Sequence, residues 1–364
     1  MRVSVSRKSL GTAALLVASL IVSFGIAEGL LRTIVGRPMM RLDPQVRYDP
    51  HPIRRFTLRP NQAAYTYTAH VWVGADGFRS NGPHQSSGGA RLFALGDSFT
   101  FGLGVADDAT WPARLEQRLG PRVPGGVRVI NSGVVSYGAF QEMNMLRERG
   151  LAMRPTVVIH ALYWNDYMTP RPPQPGDPSV LTPEGYFVWD QETPPHGLMR
   201  RAAWSLVRRS ALAWSIFKVV DHFHEGEDGA SDYAQAYGRL VDGVIRPEER
   251  EPVTRFYEQL KTLGDSAGFL PYVVILPVVD IVKSQDPDVH PYPRYVRALL
   301  DGLGIRYLDC FALWRANRYG EDTFLPQGSD AHLNAKGYAH VADALARALM
   351  ADPAVAQRLG SAAP

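Results

Sequence analysis

From residue 90 onward, short apolar runs alternate with longer amphipathic stretches, and this alternation limits the fold more than any other feature. Strand-like runs fall at Leu92–Leu95, Val127–Asn131, Thr156–Leu162, Tyr272–Pro277 and Ile305–Asp309. Helical patterns lie between them, around 110–119, 139–150, 252–266 and 292–303, and a last one runs from Ala335 to Met350. Mostly apolar strands that alternate with helices are the signature of a sheet covered on both faces. The expected class is therefore α/β, a three-layer α/β/α sandwich with a mostly parallel five-stranded sheet.

The chain of 364 residues is long enough for one large domain with a real core, and 45% hydrophobic with 21% charged residues is a globular balance. The expected organisation has four parts. Residues 1–33 open with Arg2, Arg7 and Lys8, followed by nineteen uncharged residues from Ser9 through Ala27, about the length that crosses a bilayer. Gly25 and Ala27 would suit signal cleavage, but "EGLLRTIVG" continues the helical pattern, so the expectation is an uncleaved signal anchor, a transmembrane helix. The short leader before a long domain predicts a cytoplasmic amino terminus and a periplasmic or other extracytoplasmic domain. Residues 34–88 read as an extended collar with a few strands and the turn signal Ala75-Asp76-Gly77. Residues 89–350 form the main domain, interrupted at 168–250 by a Pro-rich stretch and the aromatic, helical "AAWSLVRRSALAWSIFKVVDHF", whose apolar face is expected to pack on the domain. The tail, 351–364, is expected to fray.

Composition narrows the partners. The net charge is +3, and no Lys/Arg run is interleaved with aromatics, so nucleic acid is not an expected partner. The single cysteine, Cys310, follows a strand-like run and reads as an inert core thiol. Without a C-x-x-C pair or a His-rich tract, no metal or cofactor is expected. His160, inside a strand, reads as a satisfied core histidine, and nothing in the sequence sets the oligomeric state.

The chemistry starts at "RLFALGDSFTFG", where a buried strand stops at Gly96-Asp97-Ser98. Ligands of open α/β sheets bind at the carboxyl ends of strands. The next strand leads into "VINSGVVSYG" with Gly133, and the third ends in "VIHALYWND" with Asn165. A loop before the last helix carries "SDAHLN", with Asp330 and His332. Each alone could be a turn or cap residue; together, in this order, they suit ester cleavage. A serine hydroxyl is a weak nucleophile until a histidine takes its proton, and a carboxylate can orient that histidine. The oxyanion then needs fixed donors, such as backbone N–H groups and an asparagine amide.

At these residues the chain resembles the SGNH (GDSL-type) hydrolase superfamily over roughly residues 90–350. The resemblance implies the SGNH/flavodoxin-like sheet, with Ser98 as nucleophile and His332 as base oriented by Asp330. It implies an oxyanion hole of the Ser98 and Gly133 N–H groups and the Asn165 amide. The collar and anchor resemble a membrane-anchored branch of bacterial envelope enzymes. That implies a serine esterase acting on an acylated envelope glycan or a small acyl ester, without a cofactor. Three positions depart from the family pattern. Phe99 follows the serine, Tyr163 stands where glycine is usual, and the last block has Asp-x-His spacing with Ser329 at the usual aspartate place. Phe99, Tyr163 and Trp164 are expected to wall the acyl pocket. The short spacing also resembles envelope polysaccharide O-acetyltransferases, so acyl transfer remains an alternative. So does a non-catalytic, membrane-tethered glycan-binding or assembly protein.

Overall fold

A computed structural model describes residues 7–34, 42–82, 89–168, 179–187, 206–207, 209–216, 232–284, 289–325 and 332–360. Contacts divide these residues into two compact units. One holds Leu42–Thr193, Gly229–Leu325 and Asp330–Pro364 and contains every strand; the other joins Met1–Arg41 to Pro194–Asp228.

The larger unit begins with two antiparallel hairpins. The first pairs β1 (Tyr48–His51) with β2 (Arg55–Leu58), and the second pairs β3 (Gln62–Thr66) with β4 (Ala69–Val73). The main sheet follows with β5 (Ala90–Leu95), β6 (Val127–Asn131), β7 (Val157–Leu162), β8 (Leu270–Ile275) and β9 (Arg306–Asp309). All four pairings are parallel, in the order β6-β5-β7-β8-β9. Every residue of β7 is buried, as its unbroken apolar run requires in a central strand. Cys310, right after β9, is fully buried, and burial pushes its thiol well above the ordinary range, as a core cysteine's would be.

Helices cover the sheet close to where periodicity placed them: Trp111–Leu119, Ala139–Met145, Pro291–Leu303 and Ala335–Ala351. The helix expected around 252–266 runs over Pro247–Ala267 instead. Pro247 occupies its first turn, where a missing N–H costs nothing, and the Glu249 carboxylate accepts from the Arg246 N–H at 2.8 Å. Pro252 lies inside; burial of Val253, Phe256, Tyr257 and Leu260 at helical spacing outweighs the hydrogen bond it forgoes.

The tail corrects an expectation. Pro353–Arg358 is a helix rather than a frayed end, with Val355 and Ala356 fully buried. Asp352 caps it through the Ala354 and Val355 N–H groups and pairs with Arg306 at 2.5 Å. Pattern reading missed this element because six residues are too few to show a period.

In the smaller unit, the helix Arg7–Ile34 contains one stretch, Ala14–Thr33, long and apolar enough to span a membrane, and none of that stretch is buried. Part of the 168–250 interruption, including a short helix over 211–216, belongs to this same unit. The rest of the stretch expected to pack on the domain, 202–205, 208 and 217–223, lies outside the described residues. The Pro-rich segment 169–178 lies outside the described residues.

Candidate active site

The strand order makes β5 the point where connections depart in opposite directions, to β6 on one side and β7 on the other. A crevice opens at the carboxyl ends of strands at such a point. Ser98 stands there, in the first turn of a short helix, Ser98–Phe101. Leaving β5, Gly96 adopts φ +153°, and a Cβ there would lie 2.3 Å from Thr100 Oγ1. Only glycine permits so tight a strand-to-helix turn. Asp97 caps the helix, its Oδ1 accepting from the Phe99 N–H at 2.8 Å.

His332 reaches this turn from the far end of the chain. Its Nε2 lies 2.7 Å from Ser98 Oγ, with Ser98 7% and His332 5% exposed. A neutral imidazole accepts the hydroxyl proton in this arrangement, which is the nucleophile–base contact that acyl transfer needs. Backbone and cap hold the histidine. The Leu325 N–H donates to the His332 carbonyl at 2.7 Å, and Phe324 bridges Leu333. Two residues on, Asn334 accepts from the Lys336 and Gly337 N–H groups and so starts the helix Ala335–Ala351. The Asn334 amide also donates to the Asp322 and Phe324 carbonyls, both at 2.8 Å. Asp330 lies outside the described residues.

The third and second blocks meet the same turn. Asn165, after β7, donates from Nδ2 to Asp97 Oδ2 at 2.7 Å, which leaves the second amide proton for another acceptor. Gly133, after β6, approaches the serine helix so closely that a Cβ would lie 2.1 Å from the Phe101 nitrogen. Its N–H donates to Asn131 Oδ1 at 3.1 Å. Ser98, Asn165 and His332 are thus within one chain of contacts, and Gly133 abuts the helix that carries the serine.

Phe99, Tyr163 and Trp164, expected as a pocket wall, are 1–2% exposed. Phe99 is instead sandwiched, its ring centroid 4.2 Å from His332 and 3.8 Å from Tyr163. The aromatic residues that depart from the family pattern therefore form a stack that fixes the plane of the imidazole. Trp164 packs in turn on Tyr237, with centroids 5.0 Å apart.

Three supports were not legible in the sequence. The first is Asp97 itself, which binds the Phe99 N–H and the Asn165 amide. Burial raises its carboxyl to about 6, against the opposing pull of those hydrogen bonds and of His160. The second is Arg79, from the collar's "GFRSN". Its guanidinium, wholly buried, donates to the carbonyls of Phe101, Gly102 and Val105 at 2.6–2.7 Å and to Asp107 Oδ1 at 2.9 Å. The Arg79 backbone bridges Asn131 at the end of β6, so the collar clamps the segment that follows Ser98. The third is a buried cluster behind the site. His160 Nε2 meets Glu142 Oε2 at 2.8 Å, and His160 Nδ1 meets the Tyr257 hydroxyl at 3.0 Å. Asp166 Oδ2 accepts from the Tyr163 N–H at 3.0 Å and lies 3.8 Å from His160 Nε2.

Ligand atoms of Glu142, His160 and Asp166 all lie within 4.8 Å of one another, a set able in principle to hold a cation. The direct 2.8 Å contact between Glu142 and His160 leaves no room for an ion between them. Burial pushes Glu142 well above the usual carboxylate range, reinforced by Asp97, and holds His160 below its ordinary value. Both shifts favour a neutral hydrogen-bonded pair. His160 is the satisfied core histidine its place in a strand suggested.

Comparison with known proteins gives the family. The sequence model of the GDSL-like Lipase/Acylhydrolase family matches residues 94–340. Among solved structures, a putative lipolytic protein of the G-D-S-L family from Desulfitobacterium hafniense is 16% identical, with a TM-score of 0.40, covering 71% of this chain and 99% of that one. A lipase/acylhydrolase from Enterococcus faecalis is 13% identical, with a TM-score of 0.38 and coverage of 71% and 94%. An acetylxylan esterase from Geobacillus stearothermophilus, solved as a catalytic mutant, is 13% identical, with a TM-score of 0.40 and coverage of 72% and 94%. No curated protein sequence matches the chain.

Proposed function

The chain belongs to the GDSL-like lipase/acylhydrolase family, and from that premise we propose that it is a serine esterase working through an acyl-enzyme on Ser98. Its substrate in this reading is an O-acyl ester, carried by an envelope glycan or a small alcohol. The observation that carries the reading is the 2.7 Å contact between Ser98 Oγ and His332 Nε2.

His332 Nε2 takes the hydroxyl proton as Ser98 Oγ attacks the ester carbonyl. The carbonyl π electrons move onto oxygen, and the resulting oxyanion is met by the Ser98 N–H and the free proton of the Asn165 amide. The Gly133 N–H adds a third donor by sharing its proton between Asn131 Oδ1 and the oxyanion, a three-centre bond. Collapse expels the alkoxide, which takes the proton from His332 and leaves as the alcohol. Water then attacks the acyl-enzyme by the same route, releasing the acid and regenerating Ser98. Asp330 orients His332, and the aromatic stack under the ring holds it in plane through both half-reactions. The helix Arg7–Ile34 serves as an uncleaved signal anchor, with the amino terminus cytoplasmic and the hydrolase domain extracytoplasmic. The length and apolarity of Ala14–Thr33 support the membrane span.

A fluorophosphonate probe, which captures activated serines, tests the reading on the full-length protein. The expected result is one adduct, mapped by mass spectrometry to Ser98, absent in Ser98→Ala and slower by several orders of magnitude in His332→Ala. Hydrolysis of a short-chain ester should follow the same pattern. A protein that neither labels at Ser98 nor turns over esters is no esterase, and release of the acyl group only onto sugar hydroxyls would replace hydrolysis by transfer.

A further inference from the structure

Glu28 is an acidic residue inside the apolar stretch Ala14–Thr33, where a carboxylate facing hydrocarbon is expensive. It does not face hydrocarbon alone. The Arg32 Nε donates to its Oε1 at 2.6 Å, and the Ser210 hydroxyl donates to its Oε2 at 2.7 Å. The backbone N–H groups of Ala211 and Leu212 donate to its two oxygens, both at 2.9 Å. Arg32 also reaches the Arg209 carbonyl, at 3.0 Å. Glu28 thus satisfies the first-turn donors of the short helix over 211–216, which Ser210 caps from within its own chain segment by accepting from the Ala213 N–H at 3.1 Å.

These bonds set a depth. At about 1.5 Å per residue, Glu28 lies roughly 8 Å inward of Thr33, the end of the apolar stretch. Residues 209–212 are pinned at that height, which for a helix spanning over Ala14–Thr33 lies just below the headgroups, within the depth of about 5–10 Å that the apolar face of an interfacial segment reaches. The side chains the segment turns outward suit that depth. Leu206 is 63% and Ile216 54% exposed, Trp214 is half-buried, and Arg209 is exposed with a stem long enough to reach headgroup phosphates. The anchor itself exposes Phe24, Ile26 and Leu30, and both segments belong to one compact unit.

Resting on the signal-anchor reading above, we infer that residues 206–207 and 209–216 belong to a second membrane element, an interfacial segment docked on the anchor helix by the Glu28 carboxylate and covered by phospholipid at Leu206 and Ile216. The anchor then does more than tether: it draws part of the interruption between β7 and β8 into the lipid surface.

The test uses the full chain in nanodiscs of mixed zwitterionic and anionic phospholipid. Cys310, the only native cysteine, is fully buried, so a nitroxide attaches selectively at Phe24→Cys or Ile216→Cys, with the parent chain as labelling blank. Collision of the label with oxygen, enriched in lipid, and with a water-soluble nickel chelate reports depth. Phe24→Cys is expected to read as deep. Ile216→Cys should be shallower, its oxygen-to-nickel ratio still several-fold above that of free nitroxide in buffer. Glu28→Ala should return the Ile216→Cys label towards the aqueous ratio and leave Phe24→Cys unchanged. A deep Phe24→Cys label with an aqueous Ile216→Cys label overturns the inference and spares the anchor. An Ile216→Cys label shielded from both agents means protein, not lipid, covers the segment, and likewise overturns it. An aqueous Phe24→Cys label removes the anchor reading itself.

Discussion

Asp97 is the residue where the nucleophile's helix and the third block are tied together, and two substitutions separate its duties. Asn165→Ala removes the amide that binds Asp97 and, in the proposed mechanism, the oxyanion; the expected loss is about 10²–10³ in kcat with a smaller change in KM, because that contact would strengthen as charge develops. A change confined to KM in steady-state ester hydrolysis would make Asn165 a ground-state contact. Asp97→Asn keeps the shape but replaces an acceptor with an amide. It should lower kcat by loosening Asn165, yet stabilise the fold at alkaline pH. The sign follows from burial, which raises the Asp97 carboxyl from 3.8 to about 6 in the folded chain. The folded state then binds this proton more tightly than the unfolded one. Its stabilising contribution is whole below the unfolded pKa and lost as pH rises through about 6. Above that, the buried carboxylate costs on the order of 1–3 kcal/mol. Thermal melts should show Asp97→Asn above the parent at pH 8, with the gap closing as pH falls towards the ordinary carboxylate range. A gap independent of pH would assign the effect to packing.

Among the elements, the collar carries more of the site than its sequence suggests. The hairpins and the "GFRSN" segment read as peripheral strands, and nothing in residue pattern says that Arg79 turns inward. Its role follows from three carbonyls left over where the serine helix ends, which need donors and find them in one guanidinium. Arg79→Met fills similar volume but leaves Asp107 and those carbonyls without their cation. Urea unfolding should show a loss of about 3–5 kcal/mol, the usual result of removing one partner of a buried ion pair. Activity should fall further than stability alone explains, because the segment following Ser98 loses its clamp. Full activity in a folded Arg79→Met chain would confine Arg79 to a structural duty. Other misses at this scale share a cause: Pro252 within a helix and the six-residue tail helix are set by burial against distant elements, which local propensity does not encode.

At the scale of the molecule, the positions of the strands and the polar residues near their carboxyl ends were legible because both are written locally. Apolar runs marked β5 to β9, and Ser98, Gly133, Asn165 and His332 each follow or precede a recognisable element. What stayed hidden was long-range: the Phe99 stack beneath His332, the buried Glu142–His160 pair, and the partition of the interruption at 168–250 between two units. That partition leads to the last prediction. Among the described residues, the larger unit holds the whole sheet and every buried hydrophobic residue apart from Ala211, so its stability should not depend on the helix Arg7–Ile34. A chain beginning at Leu42 should therefore melt within a few degrees of the full-length protein in detergent and hydrolyse a water-soluble short-chain ester at a similar kcat. It should also be stickier. Without Glu28 the donors of Ser210, Ala211 and Leu212 lose their acceptor, the short helix frays, and Leu206 and Ile216 are left on a polar-solvent face. Light scattering should show self-association that mild detergent or Ile216→Ser relieves. A shortened chain that no longer unfolds cooperatively, or that loses ester turnover while still folded, would mean that the anchor helix completes the hydrolase core rather than standing apart from it.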